Sequence, residues 1–106
     1  MRKQIAAANW KMNLSLQQGE QLMDELMKTE HILGTDQLAV FAVPFPYLIN
    51  IQQKLTGKPN LFVAAQNCSA NKNGAYTGEV STEMLKSIDV SFVIIGHSER
   101  REYNHE

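Results

Sequence analysis

Six polar side chains stand directly behind apolar runs in this chain. Asn9 and Lys11 follow the run at 5–8, Gln66 and Asn67 that at 61–65, and His97 and Glu99 that at 90–95. A lysine ammonium is a compact point charge that offsets an anion. An asparagine amide supplies a neutral donor, and a histidine changes protonation near neutral pH, so it passes protons or polarises a carbonyl. Brought together, these groups suit an anionic small-molecule substrate. Two plainer readings stand beside that one. A lone Lys or His at a strand end is often a solvated loop residue. Gly96-His97-Ser98-Glu99 also reads as a helix start, with Ser98 as its cap and Glu99 at the positive end.

Convergence depends on the elements that carry these residues. Ser15 with Gln18 three positions on forms a capping box, which predicts a helix start. Leu16, Leu22, Met23, Leu26 and Met27 then recur at helical spacing and predict one buried stripe, with Gly34 and Thr35 ending the segment. The apolar run at 38–43 is stopped by Pro44. Pro46 suits the first turn of a helix over about 46–55, closed by Gly57 with Pro59 beyond. After the run at 61–65 comes a polar stretch over 67–79, and Ser81 caps a short helix through about Ser87. The run at 90–95 ends at Gly96. Continuous apolar runs rather than alternating ones predict strands buried on both faces, as in a parallel α/β sheet with helical crossovers. In such sheets the C-terminal strand ends form one face, and all six polar side chains sit at those ends.

Composition narrows the function classes. A net charge of -1, from ten basic and eleven acidic residues, gives no electrostatic basis for nucleic acid or an anionic membrane. The single Cys68 excludes an internal disulfide framework and a CxxC metal knuckle, and it suits a reducing compartment. We expect no metal and no cofactor. The apolar stretch at 5–8 is too short for a secretory signal or a membrane span, so the expectation is a soluble, cytoplasmic protein.

Several blocks resemble a known family. Ala8-Asn9-Trp10-Lys11-Met12-Asn13 is similar to the loop after the first strand of triosephosphate isomerases. Ala65-Gln66-Asn67-Cys68 and Gly74-Ala-Tyr-Thr-Gly-Glu-Val-Ser81 are similar to the long loop after the third. Ile95-Gly96-His97-Ser98-Glu99-Arg100-Arg101 resembles the segment bearing that family's catalytic histidine. The blocks occur in order and cover the chain almost end to end.

The resemblance implies an α/β fold in which 1–106 are the first half, about four strands, of a TIM (β/α)8 barrel. It implies interconversion of dihydroxyacetone phosphate and glyceraldehyde 3-phosphate through an enediolate. Lys11 matches the lysine that offsets substrate charge, Asn9 an asparagine on the same oxygen region, and His97 the carbonyl-polarising proton shuttle. That histidine is a recognised example of an imidazole kept neutral by a helix N-terminus. Glu99 and Ser98 match supporting residues, with capping and salt bridging as the alternative roles. Trp10 and Met12 read as packing or interface residues, and Cys68 as structural. The loop at 67–80 resembles the one that the family inserts into a partner subunit. A homodimer is therefore implied, with Met12, Thr77, Glu79 and Arg100 at its interface.

One departure matters. A complete barrel of this kind needs about 250 residues. The family's glutamate base, closing loop and later phosphate-gripping loops match nothing in 1–106. Strands one and four are expected at open sheet edges, which invite pairing with another chain. Two readings follow. In one, these residues are part of a full-length glycolytic isomerase; in the other, they form a self-associating half-barrel without activity.

Overall fold

The computed structural model describes residues 2–29 and 33–106. Four strands form one sheet in the order β1 (Gln4–Asn9), β2 (Gln37–Val43), β3 (Leu61–Ala65) and β4 (Phe92–Val93). Every neighbouring pair is parallel, with Asn9 opposite Ala42, Val43 opposite Ala65, and Ala65 opposite Val93. The C-terminal ends of all four strands therefore lie along one side. β1 and β4 are the two edges, as the sequence predicts.

The first crossover is helix α1 (Leu16–Lys28). Its capping box forms: the Gln18 N–H donates to Ser15 Oγ at 3.2 Å, and the Ser15 N–H to Gln18 Oε1 at 2.9 Å. Of the predicted apolar stripe, Met23 is fully buried, while Leu16, Leu22, Leu26 and Met27 are half-buried. The helix itself ends at Lys28. The stretch at 30–32, through which the segment was expected to continue to Gly34, lies outside the described residues. Gly19 is also buried on this helix, although a mid-helix glycine costs roughly 0.5–1 kcal/mol against alanine.

A 3-10 turn over Phe45–Tyr47 leads into α2 (Leu48–Leu55), so the predicted helix at 46–55 begins with a tighter first turn. Beyond it, the Lys58 N–H returns to Leu55 O at 3.0 Å around Gly57. Lys54 on α2 donates to Asp24 of α1 at 2.8 Å, a bond that raises the lysine's affinity for its proton. Helix α3 (Thr82–Ser87) is capped by the buried Ser81 hydroxyl, which accepts from the Met84 N–H. Helix α4 (Ser98–Asn104) follows β4.

Both faces of the sheet's middle are apolar. On the helix side, Val43, Val63 and Ala65 join Met23, Leu48, Ile51, Leu55, Leu85 and Val90 in one core. On the other side, Val40, Ala42 and Ala64 pack with Phe62, Phe92 and Ile94. There the Phe62 and Phe92 rings meet edge-on at 5.4 Å. Alternate residues of β2 and β3 thus serve different apolar layers, which is why these strands read as unbroken apolar runs.

Two expectations need correction. Burial on both faces holds for β2 and β3 but not for the edge strand β1, whose residues 4–8 are exposed. The fourth strand is also shorter than the run at 90–95. Val90 instead closes α3 through a bond from its N–H to Leu85 O at 3.0 Å, and Ile95 is exposed. Four parallel strands in sequence order with helical crossovers are the arrangement of the first half of a (β/α)8 barrel.

Candidate active site

The loop after β1 turns abruptly. The Trp10 N–H bonds to Ala42 O at 2.9 Å, and Lys11 then adopts a left-handed backbone with φ +57°. That conformation costs a lysine about 1–2 kcal/mol, so contacts from outside must hold it. The Lys11 N–H donates to Asn9 Oδ1 at 2.9 Å. From the end of β3, Gln66 Nε2 donates to Lys11 O at 2.8 Å and to Ala42 O at 3.2 Å. Asn13 Nδ2 donates to Trp10 O at 2.9 Å, and the Tyr47 hydroxyl to Leu14 O at 2.8 Å. The turn sends the lysine side chain along the strand ends to α4, where Nζ meets Glu99 Oε1 at 2.7 Å.

The turn after β4 is equally constrained. Gly96 has φ +62°, and a Cβ there would lie 3.0 Å from Arg101 Nη2. The Arg101 Nε donates to Gly96 O at 2.7 Å, so the guanidinium lies over the glycine. His97 is the N-cap of α4: its Nδ1 accepts the Glu99 N–H at 3.1 Å. This corrects the expectation of Ser98 as cap; Ser98 is the first, exposed residue of the helix. An Nδ1 that accepts carries no proton, so the ring bound this way is neutral with its proton on Nε2. Glu99 Oε2 lies 3.8 Å from Nδ1, too far for a hydrogen bond.

Glu99 thus touches both groups, its amide holding the imidazole and its carboxylate the ammonium. The hydrogen bond from Lys11 lowers the Glu99 pKa, against the smaller opposing effect of partial burial. Asn9, Lys11, Gln66, Asn67, His97 and Glu99 all line one cleft of about 340 Å³, with Met12 and Arg100 also on its wall. A larger hollow, about 520 Å³, runs between α3 and β4. Among the described residues Lys86 and Asp89 are the only charged ones lining it, so the smaller cleft is the better candidate. Among the described residues, no group of three or more His, Cys, Asp or Glu is placed to hold a metal ion.

The residues expected at an interface are spread out. Met12 is 95% exposed. Thr77 and Glu79 lie on a loop whose residues 70–79 are all exposed, and whose base is tied by the Ser69 N–H to Val80 O at 2.7 Å. Arg100 donates from Nε to Glu106 at 2.9 Å, which raises the arginine pKa, with Glu79 adding a smaller effect. Two residues carry geometric work that the sequence reading leaves unassigned. Gln66 clamps the lysine loop and Arg101 covers the turn before His97. Gln66 stands out at a strand end, but nothing in its neighbours reveals which carbonyls it reaches.

Among the described residues, no helix is long and apolar enough to cross a membrane. The family model for triosephosphate isomerase matches residues 4–106, from β1 through α4. The triosephosphate isomerase of Phocaeicola vulgatus is 44% identical over 106 residues, covering 100% of this chain and 42% of that protein. That of Amoebophilus asiaticus is 46% identical over 105 residues, covering 96% and 41%. That of Flavobacterium psychrophilum is 46% identical over 108 residues, covering 100% and 42%. The chain spans about two-fifths of the length of these relatives. With both constrained turns inside a match that runs along nearly all of its residues, the chain belongs to the triosephosphate isomerase family.

Proposed function

We propose that residues 1–106 are the first half of a single TIM-barrel domain, and that the full-length protein is an aldose–ketose isomerase. It interconverts dihydroxyacetone phosphate and D-glyceraldehyde 3-phosphate, a step of glycolysis and gluconeogenesis. The observation that carries this reading is that one residue, Glu99, holds the Lys11 ammonium and the His97 imidazole at the same cleft.

In the proposed mechanism the His97 Nε2–H donates to the substrate carbonyl, polarising it, and then moves protons between the two enediolate oxygens. Lys11 stabilises the negative charge that develops there and on the phosphate. Asn9 spends its Oδ1 on the loop, leaving its NH2 to donate to the same oxygen region. A second carboxylate must take the carbon-bound proton. Among the described residues Glu99 is the only carboxylate lining the cleft, and it is engaged by Lys11, so we assign that base to a later part of the full-length chain. The proposed setting is a cytoplasmic homodimer joined through the loop at 67–80, with Met12, Thr77, Glu79 and Arg100 at the interface.

The test is steady-state isomerase activity of the full-length protein. His97→Gln and Lys11→Ala are each expected to lower turnover by about 10²-fold or more without unfolding it. Near-normal turnover in either variant sinks the assignment. A second reading, an inactive half-barrel that self-associates, draws support from the exposed edge strand β1. Intact mass and size-exclusion chromatography on the purified material separate the two. A homogeneous 12.0 kDa species with full turnover excludes both.

A further inference from the structure

Gly19 is buried on α1, yet its backbone does not call for glycine, because it is not among the residues with positive φ. What glycine supplies there is room. A Cβ at position 19 would lie 2.8 Å from Trp10 Cζ3 and 3.4 Å from Cη2, so the indole's six-membered ring rests directly on the helix backbone. Trp10 stands between Asn9 and Lys11. Its backbone is fastened at both ends, by its N–H to Ala42 O and by its carbonyl to Asn13 Nδ2, while its ring packs against the main core.

We propose that Gly19 is a positioning residue for the isomerase reaction: by seating the Trp10 ring, it sets how far Lys11 and Asn9 project over the cleft. The inference rests on the function proposed above. A methyl group at position 19 must be relieved by a shift of some tenths of an ångström, and either α1 or the lysine loop must yield. Helix α1 is anchored by the fully buried Met23 and by the Asp24–Lys54 bond. The loop is exposed over residues 11–15 and holds Lys11 in a strained conformation. The loop yields, and the ammonium moves with it.

The test compares full-length wild type, Gly19→Ala, Trp10→Phe and the double variant. Shifts near 1 Å at a reacting group can cost about 10²-fold, so Gly19→Ala is expected to lower kcat roughly tenfold, with a smaller change in KM. Its melting temperature should not fall in proportion, since alanine is the better helix former. Phenylalanine lacks the ring that meets the new methyl group, so the double variant should recover to within about twofold of Trp10→Phe. A crystal structure of Gly19→Ala should show Lys11 displaced relative to Ala42. Wild-type kcat in Gly19→Ala, a double variant in which the two single losses multiply, or an unmoved Lys11 overturns the proposal. A glycine needed only for stability would lower the melting temperature and leave kcat intact. Should Gly19→Ala not fold, Trp10→Phe decides. Loss of the seated ring must lower kcat at least fivefold in a folded protein, and an unchanged kcat refutes the idea. An inactive wild type whose Lys11 still moves in the Gly19→Ala crystal would reject the function proposed above and leave the positioning intact.

Discussion

Replacing Gln66 with methionine keeps the side-chain length and removes both of its hydrogen bonds. Ala42 O already accepts the Trp10 N–H at 2.9 Å, so the group left without a protein partner is the Lys11 carbonyl. Losing one such bond costs about 1 kcal/mol. The left-handed backbone of Lys11 costs about 1–2 kcal/mol, so the bond and the strain it offsets are of similar size. Removing the bond therefore shifts the loop about fivefold toward relaxed conformations, in which the ammonium leaves Glu99. In the full-length protein we expect Gln66→Met to lower kcat by more than twofold, with about fivefold as the limit that this shift sets. The melting temperature should fall only about 2–4 °C, as a 1 kcal/mol loss gives in a domain of that size. Steady-state isomerase rates in both directions, with a thermal melt followed by circular dichroism, measure the two quantities. A kcat within twofold of wild type alongside the expected melting shift would refute the reasoning, because the loop would then be held without Gln66.

The remaining predictions concern charge, backbone and core. Glu99 has a folded pKa below its ordinary value of 4.5, so its stabilising contribution is present above that value and is lost as pH falls through the lower folded one. A carbon-detected NMR titration of Glu99 should give a midpoint below 4.5, moving upward in Lys11→Met; a wild-type midpoint at or above 4.5 contradicts the assignment. Gly96→Ala must strain the backbone and displace the Arg101 guanidinium, and should cost about 1–2 kcal/mol or more in urea unfolding, with a fall in kcat. Ser15→Ala removes the cap of α1 and should cost about 1 kcal/mol by the same measurement, leaving kcat unchanged. Ile51→Ala opens a cavity in the fully buried core and should cost about 2–5 kcal/mol.

The parts legible in the sequence are those decided over short distances. Ser15 with Gln18, and Ser81 ahead of its helix, announce helix starts because each cap bonds within three residues. The runs of β2 and β3 are legible because both of their faces meet apolar layers. The run at 90–95 misleads because Val90 is apolar as a member of the helix-side core, while its N–H goes to Leu85 O rather than to a ladder. The cap of α4 misleads for a chemical reason. Serine is the usual choice, but a neutral imidazole also accepts a hydrogen bond, and the ring of His97 takes that place. The polar residues of the site were visible at the strand ends. Gln66 reaches across 55 residues of chain to Lys11, and Lys11 across 88 to Glu99; contacts of that range have no local signature.

The two-residue length of β4 matters during synthesis. In a full-length chain about as long as its relatives, about 150 residues remain to be made once α4 is complete, which takes roughly 8–30 s at ordinary translation rates. Until later strands of such a chain are made, the edges at β1 and β4 have no neighbour among the described strands. A two-residue ladder is a poor template for a foreign strand, because short edges resist unwanted pairing. The six-residue β1 is the greater hazard, and the exposed cations Arg2 and Lys3 stand at its entrance, where charge discourages an approaching strand. If the proposed barrel forms from its first strands onward, the brevity of β4 would make that edge the safer of the two while the barrel is open.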